Sequence, residues 1–151
     1  MKRQSLTPIL HLALIVILVA STINAQSLNF SLEIPFEFSV GDKVVPAGRY
    51  TIRRSPLGAD DVLVIQNKDG RISEQVRMKI FYSNEPAKEN KKLIFTKYGE
   101  KRFLSQIWAI SPLGKSTRYQ IIKGKNELNL EVKAKEDQSA LQPETLNLVI
   151  K

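Results

Sequence analysis

Four polar or amphipathic side chains fall where a β-strand pattern asks for apolar ones. Glu74 interrupts the alternating set Ile72, Val76, Met78 and Ile80; Arg54 continues a face begun by Tyr50 and Ile52; Gln106 lies between Leu104 and Trp108. Buried charges and amides need partners. One reading therefore gathers Arg54, Glu74, Gln106 and Trp108 around one interior cavity, where they would orient a ligand held by apolar walls. The plainer reading puts Arg54 at a strand end, Glu74 at a bulge, and Trp108 in the core with Gln106 satisfied by backbone. The sequence leaves both open.

Carboxylates offer the other chemistry. A two-acid glycosidase needs carboxyls about 5 to 9.5 Å apart. Glu33 and Glu37 share a strand face, but four strand steps separate them by roughly 13 Å. Asp60-Asp61 adjoins a turn, where an ordinary use is hydrogen bonding to local backbone. Nucleophile chemistry is poorly served. The chain has no cysteine and one histidine, His11, and His11 lies in a segment that reads as a signal peptide.

That segment, MKRQSLTPILHLALIVILVASTINAQS, has Lys2 and Arg3 first, an apolar run from Ile9 to Ala20, and small residues near Ala25. This layout predicts a secretory signal peptide over 1–25, cleaved after Ala25, followed by a single β-rich domain over 26–151. Cleavage removes His11. What remains offers no Ser-His-Asp or Cys-His pair and no thiolate or imidazole for zinc or haem. No catalytic residue, metal site or cofactor is expected. Periplasm or extracellular space is the expected location, and packing rather than disulfides must hold the domain together.

The elements that would position these residues are strands. From Leu28 to Val40 every even position is apolar, a strict period of two. Unbroken, the run would span roughly 40 Å, about twice an ordinary strand. Pro35 falls on the polar set and cannot donate to a ladder. It is expected to split the run into two arms that pass from one sheet to another or round a barrel corner. Turn signals follow at Gly41-Asp42 and Pro46-Ala47-Gly48, and a return strand at 49–54. The letters SPLG occur at 55–58 and again at 111–114, a reused turn. Residues 61–80 predict a hairpin round Asn67-Lys68-Asp69-Gly70, and 93–110 a second hairpin round Gly99. Residues 103–110 are apolar on both faces, which predicts a central strand. Residues 83–92 form a charged loop.

Residues 126–136 are ambiguous. Leu128, Leu130, Val132 and Ala134 alternate and favour a strand, while the Glu131–Lys135 spacing suits a helix. The periodicity leans to strand. Leu146, Leu148 and Ile150 predict a last strand. The total is seven to eight strands in an all-β antiparallel sandwich or small barrel, with one short helix admitted near the C-terminus.

The stretch IPFEFSVGDKVVPAGRYTI, with KLIFTKYGEKRFLSQIW some fifty residues later, resembles a family of small, uncharacterised exported bacterial proteins. The shared positions are Ile34, Pro35, Phe36, Phe38, Val40, Gly41, Pro46, Ala47, Gly48, Tyr50, Phe95, Tyr98, Gly99, Phe103, Leu104, Gln106 and Trp108; Val45 stands where the family has Leu. The resemblance implies export and a β-rich fold, and no activity. It also implies a helix after the Trp strand, although KGKNELNLEVK departs from the family's usual start.

The formal charge is +8, and cleavage would lower it by two through Lys2 and Arg3. The excess lies before residue 126, with clusters at Arg53-Arg54, Lys91-Lys92 and Lys101-Arg102. For an exported protein this points away from nucleic acid and toward anionic lipid or acidic polysaccharide; a solvated lysine-rich surface is the plainer account. The expectation is a non-enzymatic binding or structural module of the bacterial envelope, taking a small apolar molecule or an anionic polymer. The alternatives are a carboxylate-dependent enzyme acting on glycans and a subunit of a larger assembly, which an exposed apolar edge would mark.

Overall fold

The computed structural model describes residues 28–56, 60–86, 91–111, 114–136 and 142–150. The expected signal peptide, the tip of the charged loop and the centres of the two SPLG turns lie outside the described residues. Among the described residues run β1 (Asn29–Ile34), β2 (Phe38–Val40), β3 (Lys43–Val45), β4 (Gly48–Arg54), β5 (Val62–Asn67), β6 (Ser73–Pro86), β7 (Lys92–Tyr98), β8 (Lys101–Ile110), β9 (Lys115–Ile121), one helix α1 (Lys125–Glu136), and β10 (Glu144–Val149). The protein is mainly β, as the alternation predicts, with ten strands where seven to eight were expected. Part of the surplus comes from the opening run, which yields two short strands.

Pro35 sits between those two strands, and they pair in different sheets. β1 runs antiparallel to β4; β2 makes a tight hairpin with β3 and touches β8 in parallel through Ser39 and Phe103. The even-numbered side chains from Leu28 to Val40 all join the core regardless of the break. β6 makes a second crossing. Its first half, Ser73–Arg77, pairs with β5, and its second half, from Met78 on, pairs with β9. The strand order β1-β4-β5-β6-β9-β8-β2-β3, with β7 and β10 beyond β8, is thus an open sheet folded on itself. One layer is β1-β4-β5-β6 and the other β6-β9-β8 with β7, β10, β2 and β3. β8 is central, with β7 along one edge and β9 and β2 along the other.

The core between the layers is aliphatic with an aromatic knot. Phe38 stands edge-on to Phe95 at 5.6 Å and to Tyr50 at 5.4 Å, and Phe36 edge-on to Phe95 at 5.1 Å. The Tyr50 hydroxyl donates to the Pro46 carbonyl at 2.6 Å, tying the Pro-Ala-Gly turn to the core.

Residues 125–136 form the one short helix admitted near the C-terminus, which corrects the lean of the periodicity to strand. The alternating apolar set misleads because a helix scatters it: Leu128 and Val132 are exposed, while the inward stripe is buried Glu127 and Ala134 with half-buried Leu130 between them, spaced three, four and seven apart. α1 packs against Tyr98 and Phe103, on the outer face of the second layer. Its N-terminus is capped from afar. The Asp42 carboxylate, in the β2–β3 turn, accepts from the Asn126 N–H at 2.9 Å, and backbone bonds from Asn126 hold its pKa below the usual carboxylate value. A Cβ on Gly124 would lie 2.5 Å from Asp42 Oδ1 and 2.7 Å from the Gly41 carbonyl carbon. Only glycine permits that approach. No helix among the described residues is long and apolar enough to cross a membrane.

Candidate functional site

The four residues singled out from sequence separate into two places. Arg54 and Glu74 belong to the first layer and project to its inner side, since Arg54 registers with Leu63 and Glu74 with Ile65, both fully buried. Gln106 and Trp108 belong to the second layer and lie on its outer side. The cause is a bulge. Phe95 registers with Leu104 and Ile94 with Gln106, so Ser105 is an extra residue on β8. Up to the bulge Leu104 faces the core; beyond it the odd residues Ile107 and Ala109 do, and Gln106 and Trp108 turn outward. A single cavity lined by all four is therefore not what the fold builds, and Trp108 is not a core residue. The Trp108 indole N–H donates to Gln106 Oε1 at 3.0 Å.

Trp108 instead joins a row across four neighbouring strands. Phe81 on β6 registers with Arg118 on β9, Arg118 with Trp108 on β8, and Trp108 with Lys92 on β7. Ring and cation alternate. The Arg118 guanidinium lies 4.5 Å from the Phe81 ring and 5.8 Å from Trp108, and Lys92 Nζ lies 5.3 Å over Trp108. No one strand announces this row, because its members come from four strands and only the pairing register brings them together.

Arg54 leads to a cleft. At the end of the sandwich remote from α1 the two layers part, leaving a cleft of ≈ 400 Å³, within the range of small-molecule sites. Leu28 and Phe30 come from the first layer and Ala109 and Tyr119 from the second; Arg54, Lys91 and Lys115 are the charged residues of the lining. No carboxylate is among the described lining residues. Burial pushes the Tyr119 hydroxyl pKa up. Arg54 is held by Asp60, Nη2 to Oδ1 at 2.7 Å, which fixes the guanidinium at the mouth and leaves donors of its five for another partner. Arg54 is thus the one sequence-chosen residue that reaches a cleft of this character.

A second groove, of ≈ 460 Å³, runs beside α1 and carries charges of both signs, Glu37 and Glu100 with Lys101, Arg102 and Lys133. The same helix carries an acid pair that sequence reading missed. Glu127 is 3% exposed, its Oε1 has no hydrogen-bond partner, and burial pushes its pKa up to about 7, with Lys123 opposing and Glu131 adding. Glu131 is held below its usual value by hydrogen bonds from Lys123, at 2.8 Å, and Lys135, at 3.2 Å. Two acids pushed apart in this way suit acid–base work in other settings. Here Glu127 faces Tyr98 and the sheet rather than the groove, whose lining includes neither acid. The available sequence signal was the Glu127–Glu131 spacing, which acquires meaning only once 125–136 is a helix.

Compared with known proteins, the chain matches no family model, no curated protein and no solved structure.

Proposed function

We propose that the protein is a non-enzymatic binding module, exported by its N-terminal segment, whose inter-layer cleft holds a small amphiphile with an anionic head. The observation that carries this is the cleft's composition: an apolar floor of Leu28, Phe30, Ala109 and Tyr119 under three cations, with no acid among its described lining. The floor takes the apolar tail. Arg54, fixed by Asp60, takes the head through charge-assisted hydrogen bonds. A glycan-cleaving acid pair draws no support from Glu127 and Glu131, which the groove beside them does not reach.

An anthroyloxy-labelled fatty acid tests this by its fluorescence rise on entering an apolar site. The parent protein should bind it saturably. Arg54→Met, which keeps the stem and removes the charge, should weaken binding about 10- to 100-fold, the range for a hydrogen bond to a charged group. An absent or unsaturable signal, or equal affinity in the variant, would overturn the proposal. Native mass spectrometry of gently purified protein should show a stoichiometric added mass.

A further inference from the structure

The cleft opens at an end of the molecule with an unusual surface. Tyr82 is 74% exposed, Phe81 44% and Ile110 39%, and the strand register brings them to the same end of the second layer: Phe81 on its outer face beside Arg118, Ile110 two residues beyond Trp108 on β8, and Tyr82 on the cleft side of β6. Among them stand Lys91 and Lys115 on the cleft rim and Arg118 between the rings of Phe81 and Trp108. Large apolar side chains exposed beside cations are poorly matched to water. They match a bilayer interface, where aromatic rings settle at headgroup depth and lysine and arginine meet anionic phosphates.

We propose that this end of the sandwich docks on an anionic phospholipid bilayer, Phe81, Tyr82 and Ile110 entering the headgroup boundary and Lys91, Lys115 and Arg118 facing the phosphates. Two features favour a bilayer over a soluble polyanion. A polyanion calls for cations but not for exposed Tyr82 and Ile110, and the cleft mouth shares Tyr82, Ile110, Lys91 and Lys115 with the docking surface. The inference rests on the proposed function in one respect: the amphiphile would pass from the bilayer into the cleft without crossing water.

Co-sedimentation with vesicles tests it, using phosphatidylcholine alone and an equimolar mixture with phosphatidylglycerol. The exported protein, freed of its N-terminal segment, should bind the mixture, lose binding as salt rises, and leave pure phosphatidylcholine in the supernatant. The double variant Phe81→Ser/Arg118→Gln touches neither the cleft floor nor Arg54. It should bind the mixed vesicles about 50-fold more weakly, roughly tenfold from the half-exposed ring and fivefold from the cation, while binding the labelled fatty acid as the parent does. Equal binding to both vesicle types, no binding to either, or unchanged binding by the double variant overturns docking. So does tight binding to soluble alginate that the double variant retains, which would make the surface a polyanion site. If the double variant loses its circular dichroism spectrum, Tyr82→Ser takes its place, with a loss of at least tenfold expected. Vesicle binding without fatty-acid binding would refute the cleft and leave the docking surface standing.

Discussion

Glu127 makes the fold's stability fall as pH rises, and the size of the fall can be worked out. In the unfolded chain its carboxyl titrates near 4.5, and beneath α1 near 7. Below 4.5 both states carry the proton and Glu127 costs nothing. Between the two values the folded state holds a proton that the unfolded state has released, so stability declines with each step in pH. Above about 7 both are ionised, and the full cost of an anion facing Tyr98 and the sheet is present. At 1.36 kcal/mol per pH unit the cost is about 3 kcal/mol, a large share of what holds a domain of this size together. The charged groups around it, Lys123, which opposes the shift, and Glu131, which adds to it, already act in the folded state at that value. Glu127→Gln keeps the shape and removes the titration. Urea unfolding from pH 4.5 to 8.5 should show parent and variant alike at the acid end and the variant more stable by about 2–3 kcal/mol at the alkaline end. A difference that does not change with pH would refute the reasoning, as would a variant less stable than the parent at pH 8.5.

Two other substitutions follow from the same geometry. Gly124→Ala forces a methyl into Asp42 and the Gly41 backbone; it should cost about 1–3 kcal/mol in chemical denaturation and reduce the helical signal in circular dichroism. Phe95→Ala should cost about 3–5 kcal/mol, since its ring is fully buried at the centre of the aromatic knot, while Trp108→Ala, on the outer face past the bulge, should cost less than half as much; equal losses would return Trp108 to the core.

The strands that the sequence announces are those whose inside and outside differ along one uninterrupted register. Leu28 to Val40 is the clearest case: the alternation shows the buried face, and Pro35 shows where the chain must leave one layer for the other. The hairpins at Asn67–Gly70 and at Gly99 were equally plain, because turn residues there sit between alternating runs. Reading failed at Ser105, where one unpaired residue reverses the phase and moves Gln106 and Trp108 to the other side. Alternation has no way to mark a bulge made of an ordinary serine. Helix α1 was hidden for a different reason. Its exposed face carries Leu128 and Val132 and its buried face an acid, the reverse of what amphipathic patterning assumes. The cleft and the aromatic–cation row were illegible except for Arg54 and Trp108, because the cleft lies between layers joined by the crossings at Pro35 and in the middle of β6, and the row is assembled by pairing register across four strands.

The tie between Asp42 and Asn126 also sets an order of events. A helix of twelve residues is marginal alone in water, and this one takes its first cap from a turn 84 positions earlier in the chain and its packing surface from Tyr98 and Phe103. The packing surface needs the β7–β8 hairpin, and the cap is absent until the β2–β3 turn has been brought alongside β8. α1 therefore belongs to the last stage of assembly. The amide of Leu128, which donates to the Gly124 carbonyl at 3.1 Å, should become protected from hydrogen exchange after the amides of β7 and β8 during refolding, and simultaneous protection would contradict that order.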